Sequence, residues 1–243
     1  MDAGNRRQSE SQSAGVAATL VPITTVIIET VPMTPETTQF VAVFLAVFYS
    51  AVALFYVIFA KFRKAEHRGQ SMIHMGERYS RHWWNHLTFR LFRIAIWAAC
   101  VLRLLFPAVE RWLLPVASLQ ADWIALAGLA LLCFGFALAV CGSLSLAGAW
   151  RSGIDEAASE QLVTTQLYAF TRNPTFFGVR LGQLGFFLAW PTVFSMVCLI
   201  VGWIAVSVQV ELEEAHLQLR FGDRYSEYQR AVGRWFLAGR QPA

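Results

Sequence analysis

Three stretches of the chain run for more than twenty residues without a charge: Phe40 to Ala60, Trp123 to Trp150 and Leu181 to Val210. A helix needs roughly 20 mainly apolar residues to cross a roughly 30 Å hydrocarbon core. Core helices of soluble proteins rarely stay uncharged so long. The pattern therefore predicts an all-α, polytopic membrane helix bundle. Span one is expected from about Thr38 to Ala60, ending at Lys61, Arg63 and Lys64. Residues 16–28 are apolar but short, and Glu29, Pro32 and Pro35 break the pattern beyond them, so this tract reads as interfacial or loosely helical. Span two, about Leu91 to Val109, carries Arg93, which can snorkel to the interface, and Arg103, which must face protein, water or the far headgroups.

Span three, Trp123 to Trp150, is rich in small residues that let helices approach closely. The last apolar tract, Phe176 to Val210, contains Pro191. Proline lacks the amide donor and clashes with the preceding turn, so a helical hairpin turning at Trp190-Pro191-Thr192 is predicted, for about five spans in all. Gly178, Gly182 and Gly185 suit its first arm to close packing. The basic stretch from Ala65 to Phe92, with Trp83 and Trp84, reads as an amphipathic helix in the headgroup layer. Three regions result: a flexible or interfacial 1–37, spans one to three over 38–149 with a basic connector at 61–92, and a core at 150–243.

Composition agrees. Of 243 residues 56% are hydrophobic and 15% charged, against about 25% charged in soluble domains. The net charge of +4 raises nucleic acid as a partner, but the cations cluster beside the spans, where the positive-inside rule places them. Membrane lipids are thus the expected surroundings, with no nucleic acid and no obligate protein partner. The segments 61–93, 151–172 and 211–240 hold most arginines and both lysines, so all three are expected on the cytoplasmic side of a cell's inner (plasma) membrane. Five spans then put the N-terminus outside. The first dozen residues are polar and form no signal peptide pattern. Cys100, Cys133, Cys141 and Cys198 lie in apolar runs without a CxxC pair and read as packing residues. There is no Walker or dinucleotide-binding glycine loop.

Two polar stretches flank the hairpin. One enters its first arm: Leu162-Val163-Thr164, Tyr168, Arg172-Asn173-Pro174-Thr175-Phe176 and Gly178. The other leaves its second arm: Glu213-Glu214, Leu217, Phe221-Gly222, Tyr225, Tyr228, Val232 and Arg234. A hairpin joins its ends, so Arg172 and Asn173 are expected beside Glu213 and Glu214. This ordered set, with Trp150-Arg151-x-Gly153 upstream, resembles the isoprenylcysteine carboxyl methyltransferase family of integral membrane enzymes, related to the phospholipid N-methyltransferases. The resemblance spans about Trp150 to Arg234.

The resemblance implies an S-adenosylmethionine-dependent methyltransferase with a cytoplasmic cofactor cleft capped by the C-terminal segment. Cofactor-contacting family positions fall on Glu160, Gln161, Leu162, Val163, Tyr168, Asn173, Pro174, Thr175, Phe176 and Glu213. Arg172 and Glu214, the catalytic candidates, match positions that wire the site. Carboxylates suit the sulfonium and ammonium of such a cofactor, an arginine or backbone amides its carboxylate, and an apolar slot its adenine. The chain departs from the family at Gln166, where glycine is usual, at Asn173 and Phe176, where eukaryotic members have His and Tyr, and at Gln209. Prenylcysteine-specific members carry arginine at that last position, suited to a substrate carboxylate. Gln209 is therefore a substrate-binding candidate, and the acceptor stays open among lipophilic molecules, lipids and small thiols or carboxylates.

Two other readings remain. One is an NADPH-dependent membrane reductase of related architecture, against which the Glu213-Glu214 pair argues by repelling a phosphate-rich cofactor. The other is a non-catalytic haem or quinone binder using His82 and His86, spaced i, i+4, although their basic, Trp-rich neighbourhood suits an interfacial helix. No metal is expected. Tyr225, Tyr228, Arg230 and Trp235 read equally as headgroup anchors or as a lid.

Overall fold

The computed structural model describes residues 33–66, 78–150 and 162–236. Among these residues six α-helices form a bundle: α1 (Pro35–Glu66), α2 (Arg81–Leu105), α3 (Asp122–Trp150), α4 (Pro174–Ala189), α5 (Val193–Phe221) and the short α6 (Asp223–Ala231). Among the described residues there is no strand, only one isolated bridge between Pro115 and Thr192. Among the described residues three helices are long and apolar enough to cross a membrane, at Pro35–Phe55, Asp122–Leu146 and Val193–Phe221. With α4 only 16 residues long and α2 carrying Arg81, Arg90, Arg93 and Arg103, neither meets that standard alone. The all-α membrane bundle stands; the five-span count remains an expectation.

Two boundaries differ from the sequence reading. Helix α1 starts at Pro35, three residues before the expected Thr38. Proline suits a first helical position, where its missing N–H has no partner to lose, and Thr34 Oγ1 accepts from the Thr37 amide at 3.2 Å as a cap. Residues 81–92 are not a separate headgroup helix but the first half of α2, which runs unbroken to Leu105. Ser80 starts it, its side chain accepting from the Trp83 amide; residues 67–77 lie outside the described residues.

The hairpin turns where Pro191 requires. Trp190 and Pro191 separate α4 from α5, and Thr192 caps α5 in a reciprocal box with Ser195. Glycines weld α4 to α3: a Cβ on Gly135 would strike the Gly182 amide, and one on Gly185 the Leu132 amide. Backbone cannot yield as a side chain can, so only glycine permits this approach.

The bundle has two polar ends. At the turn end, the Met33 amide donates to Gln120 O, Val116 to Pro191 O and Val193 to Leu114 O. At the other end, Arg81 pairs with Glu211 at 3.1 Å and the Arg172 amide donates to Gly233 O at 3.0 Å. The basic segments that were expected to share one side do meet there, wherever they are described.

Candidate functional site

The site forms at the second of these ends, around Glu214. This carboxylate is 5% exposed, a depth at which an unpaired charge is costly. Four donor groups from three side chains surround it. Arg172 NH2 lies 3.3 Å from Oε1, and Asn173 Nδ2 donates to the same oxygen at 3.0 Å. Arg234 donates to Oε2 through Nε at 3.1 Å and NH2 at 2.7 Å, a fork of charge-assisted bonds. The hairpin therefore brings the Arg172-Asn173 corner against the acidic pair, as its turn implied. Arg234, which the sequence placed in the motif without a role, completes the cage.

The C-terminal segment is strapped over this corner. Gly222, at φ +53°, ends α5 in a conformation that L side chains rarely adopt and redirects the chain into α6. Tyr228 donates its hydroxyl to Tyr168 O at 2.6 Å, Thr171 Oγ1 donates to Arg234 O at 3.0 Å, and Arg172 NH1 donates to Gln229 O at 3.1 Å. Burial raises the phenol of Tyr168, with the charge of Glu213 adding to it. Burial also pushes Tyr225 up to about 12, with Glu214 adding, and raises Tyr228 further. All three therefore stay neutral hydroxyls across the physiological range.

Glu213 differs from its neighbour. It faces the rim, where its Oε1 accepts from Gln209 Nε2 at 3.3 Å. Gln209 Oε1 in turn accepts from Asn85 Nδ2 of α2 at 3.0 Å. Asn85 was not singled out from sequence; its only signal was an amide amid aromatic and basic residues. One turn inward from Asn85 and Gln209, a cavity of about 70 Å³ opens between α2 and α5. Phe89, Phe92, Ile96, Phe186, Gly202 and Ala205 line it, with Gln183 as a polar wall. Gln183 Oε1 is buried without a partner among the described residues.

Of the remaining candidates, Pro174 is the first residue of α4 and is buried, and Thr175 and Phe176 follow it half-buried. Thr175 Oγ1 and Arg172 Nε are buried and lack a partner of bonding geometry among the described residues. Leu162 and Val163 are half-buried; Glu160 and Gln161 lie outside the described residues. Gln166 sits at φ +56°, a left-handed backbone that explains why related sequences favour glycine there. His82 and His86 bond to each other at 3.1 Å between Nε2 atoms, and no group of three or more potential metal ligands occurs among the described residues.

Residues 123–224 match the sequence model of the phospholipid methyltransferase family. The match covers α3, the hairpin and the acidic pair and stops before Arg234. Searches of curated proteins and of solved structures each return no match.

Proposed function

We propose that this chain, whose residues 123–224 match the phospholipid methyltransferase family, takes its methyl group from S-adenosylmethionine and passes it to a lipophilic acceptor at the cytoplasmic face. The observation that carries this reading is the caged Glu214. With both its oxygens engaged by Arg172, Asn173 and Arg234, it serves as a fixed strut, leaving the less engaged Glu213 to meet a cation.

The donor set fits the cofactor. Glu213 would face the sulfonium and ammonium, and the spare Arg172 Nε would serve the carboxylate. Leu162, Val163, Tyr168, Pro174 and Phe176 would give the adenine an apolar slot, with Glu160 and Gln161 expected beside it. When bound, the cofactor supplies a methyl on a positively charged sulfur. Glu213 and Arg172 would hold the two ends of the cofactor so that its methyl faces a lone pair on the acceptor. Holding the reacting atoms in line supplies much of the rate in such a displacement. An ionised acceptor then needs no general base.

The α2–α5 cavity supports the lipophilic acceptor. Its largely apolar walls suit a hydrocarbon chain, with Arg93 and Gln183 as its polar edge and the bonded Gln209–Asn85 pair one turn away. The test is to incubate the purified chain with methyl-tritiated S-adenosylmethionine and an extract of membrane lipids. Label should enter the organic phase and fall at least about tenfold in Gln209→Leu, a bonding loss worth roughly 1.4 kcal/mol. Label confined to water-soluble thiols, or transfer that Gln209→Leu leaves unchanged, would remove the acceptor assignment.

A further inference from the structure

A second polar cluster, outside the site, lies on the flank of the hairpin. Arg180 of α4 stands six residues beyond Pro174, about 9 Å along the helix, and Ser207 of α5 seven before Glu214, about 10 Å. Arg180 NH2 donates to Ser207 Oγ at 2.6 Å. Its guanidinium lies between two indoles, 4.2 Å from the Trp235 ring centre and 5.5 Å from that of Trp203. Among the described residues no carboxylate is within ion-pair distance of it, and its Nε has no partner.

The cluster's position identifies what it meets. Met196, Ile200, Trp203 and Ile204 are exposed along one face of α5, the stripe that lipid must cover. Trp203 and Ser207 continue this stripe at spacings of three and four residues, so the cluster sits at its upper end. Tryptophan concentrates where acyl chains give way to headgroups, and a long arginine there reaches toward the phosphate layer. An arginine stacked on aromatic rings, with donors to spare, presents the planar fork that a phosphate accepts.

We propose that Arg180, held by Ser207 and flanked by Trp203 and Trp235, binds the phosphate of a membrane phospholipid at this interface. The occupant is a phosphodiester lipid because the cluster opens onto the lipid-facing stripe, and because the basic residues collected at this end draw anionic headgroups. Trp235 follows Arg234, whose side chain closes the cage on Glu214, so the lipid would sit beside the strap over the site without entering it.

Titration of the full chain in detergent with dioctanoyl phosphatidylglycerol, followed by native mass spectrometry, tests this. Dioctanoylglycerol and inorganic phosphate are the comparison probes. The phospholipid should bind, and Arg180→Gln should weaken it at least about tenfold, the loss of a charge-assisted pair. Dioctanoylglycerol should bind no better than the phospholipid binds that variant. Should Arg180→Gln lose its helical circular dichroism, Arg180→Lys carries the test, because an ammonium keeps the charge but loses the fork and the stacking; about threefold weaker binding is expected. Unchanged affinity in the folded variants, equal binding of dioctanoylglycerol, or displacement of the lipid by millimolar inorganic phosphate would each overturn the proposal.

Discussion

The two ends of the helical hairpin solve the burial of charge in different ways. At the turn, Arg103 is 2% exposed and meets one carboxylate, Glu110, at 3.1 Å. Trp190 packs its ring 4.6 Å from that guanidinium and donates Nε1 to Glu110 at 3.3 Å. One cation, one anion and a buried indole make up this unit, with Arg103 NH1 buried and without a partner among the described residues. At the site end, one buried carboxylate holds two arginines and an asparagine, and those groups belong to the entry of α4, the end of α5 and the C-terminal strap. The turn concentrates its polar groups to fasten helices and the site uses them to fix loops, and each end leaves one buried arginine nitrogen without a partner among the described residues.

The largest effect should come from breaking the turn end. Glu110→Gln leaves Arg103 buried without a counter-charge, and stability should fall by about 3–5 kcal/mol, read by thermal unfolding in detergent. The folded fraction should still bind S-adenosylhomocysteine as before. A loss of that binding would mean that the two ends are coupled. Next comes Glu214→Gln, which should cost about 1–3 kcal/mol, because Arg234 is partly exposed and can rehydrate. Here ligand affinity should fall as well, by about tenfold or more; a stability loss alone would make the cage a copy of the turn.

Smaller changes sharpen the site end. Tyr228→Phe removes the 2.6 Å bond to Tyr168 O and should cost about 1–2 kcal/mol, with faster proteolysis of the C-terminal strap. Gln166→Gly relieves a left-handed backbone and should stabilise by up to about 1 kcal/mol, measured as a rise in the unfolding midpoint. Alkaline pH gives the mildest perturbation. Tyr225 has its phenol raised from an ordinary value of 10.0 to about 12 by burial, then by Glu214. The stability tied to its neutral form is complete below pH 10 and declines as pH rises toward 12. The unfolding midpoint of wild type should therefore fall over that window by more than that of Tyr225→Phe, which lacks the phenol.

Much of this was legible in the chain because single residues impose it. Pro191 dictates the hairpin, and the hairpin dictates that Arg172-Asn173 meets Glu213-Glu214. Gly222 dictates the break between α5 and α6. Where the sequence misled, a residue carried two meanings. Pro35 ends a helix from within but begins one at its first position, and the charges of residues 81–92 suit both a headgroup helix and the polar half of a longer one. Arg234, Asn85 and Arg180 gained their partners only through tertiary contacts 20, 124 and 27 residues away in sequence, separations that local pattern does not encode. The three-region division of the chain remains a proposal alongside the cofactor contacts.

The central claim is that Glu213, freed by the cage around Glu214, meets a sulfonium nucleotide. Calorimetric titration of the full chain in detergent with S-adenosylmethionine and S-adenosylhomocysteine, for wild type and Glu213→Gln, tests it most directly. Wild type should bind both at micromolar concentration. The variant should lose at least about tenfold for the cationic ligand, as removal of one charge partner implies, and less for the neutral thioether. Equal losses for the two ligands, unchanged affinity, or tight NADPH binding in place of either would contradict the account.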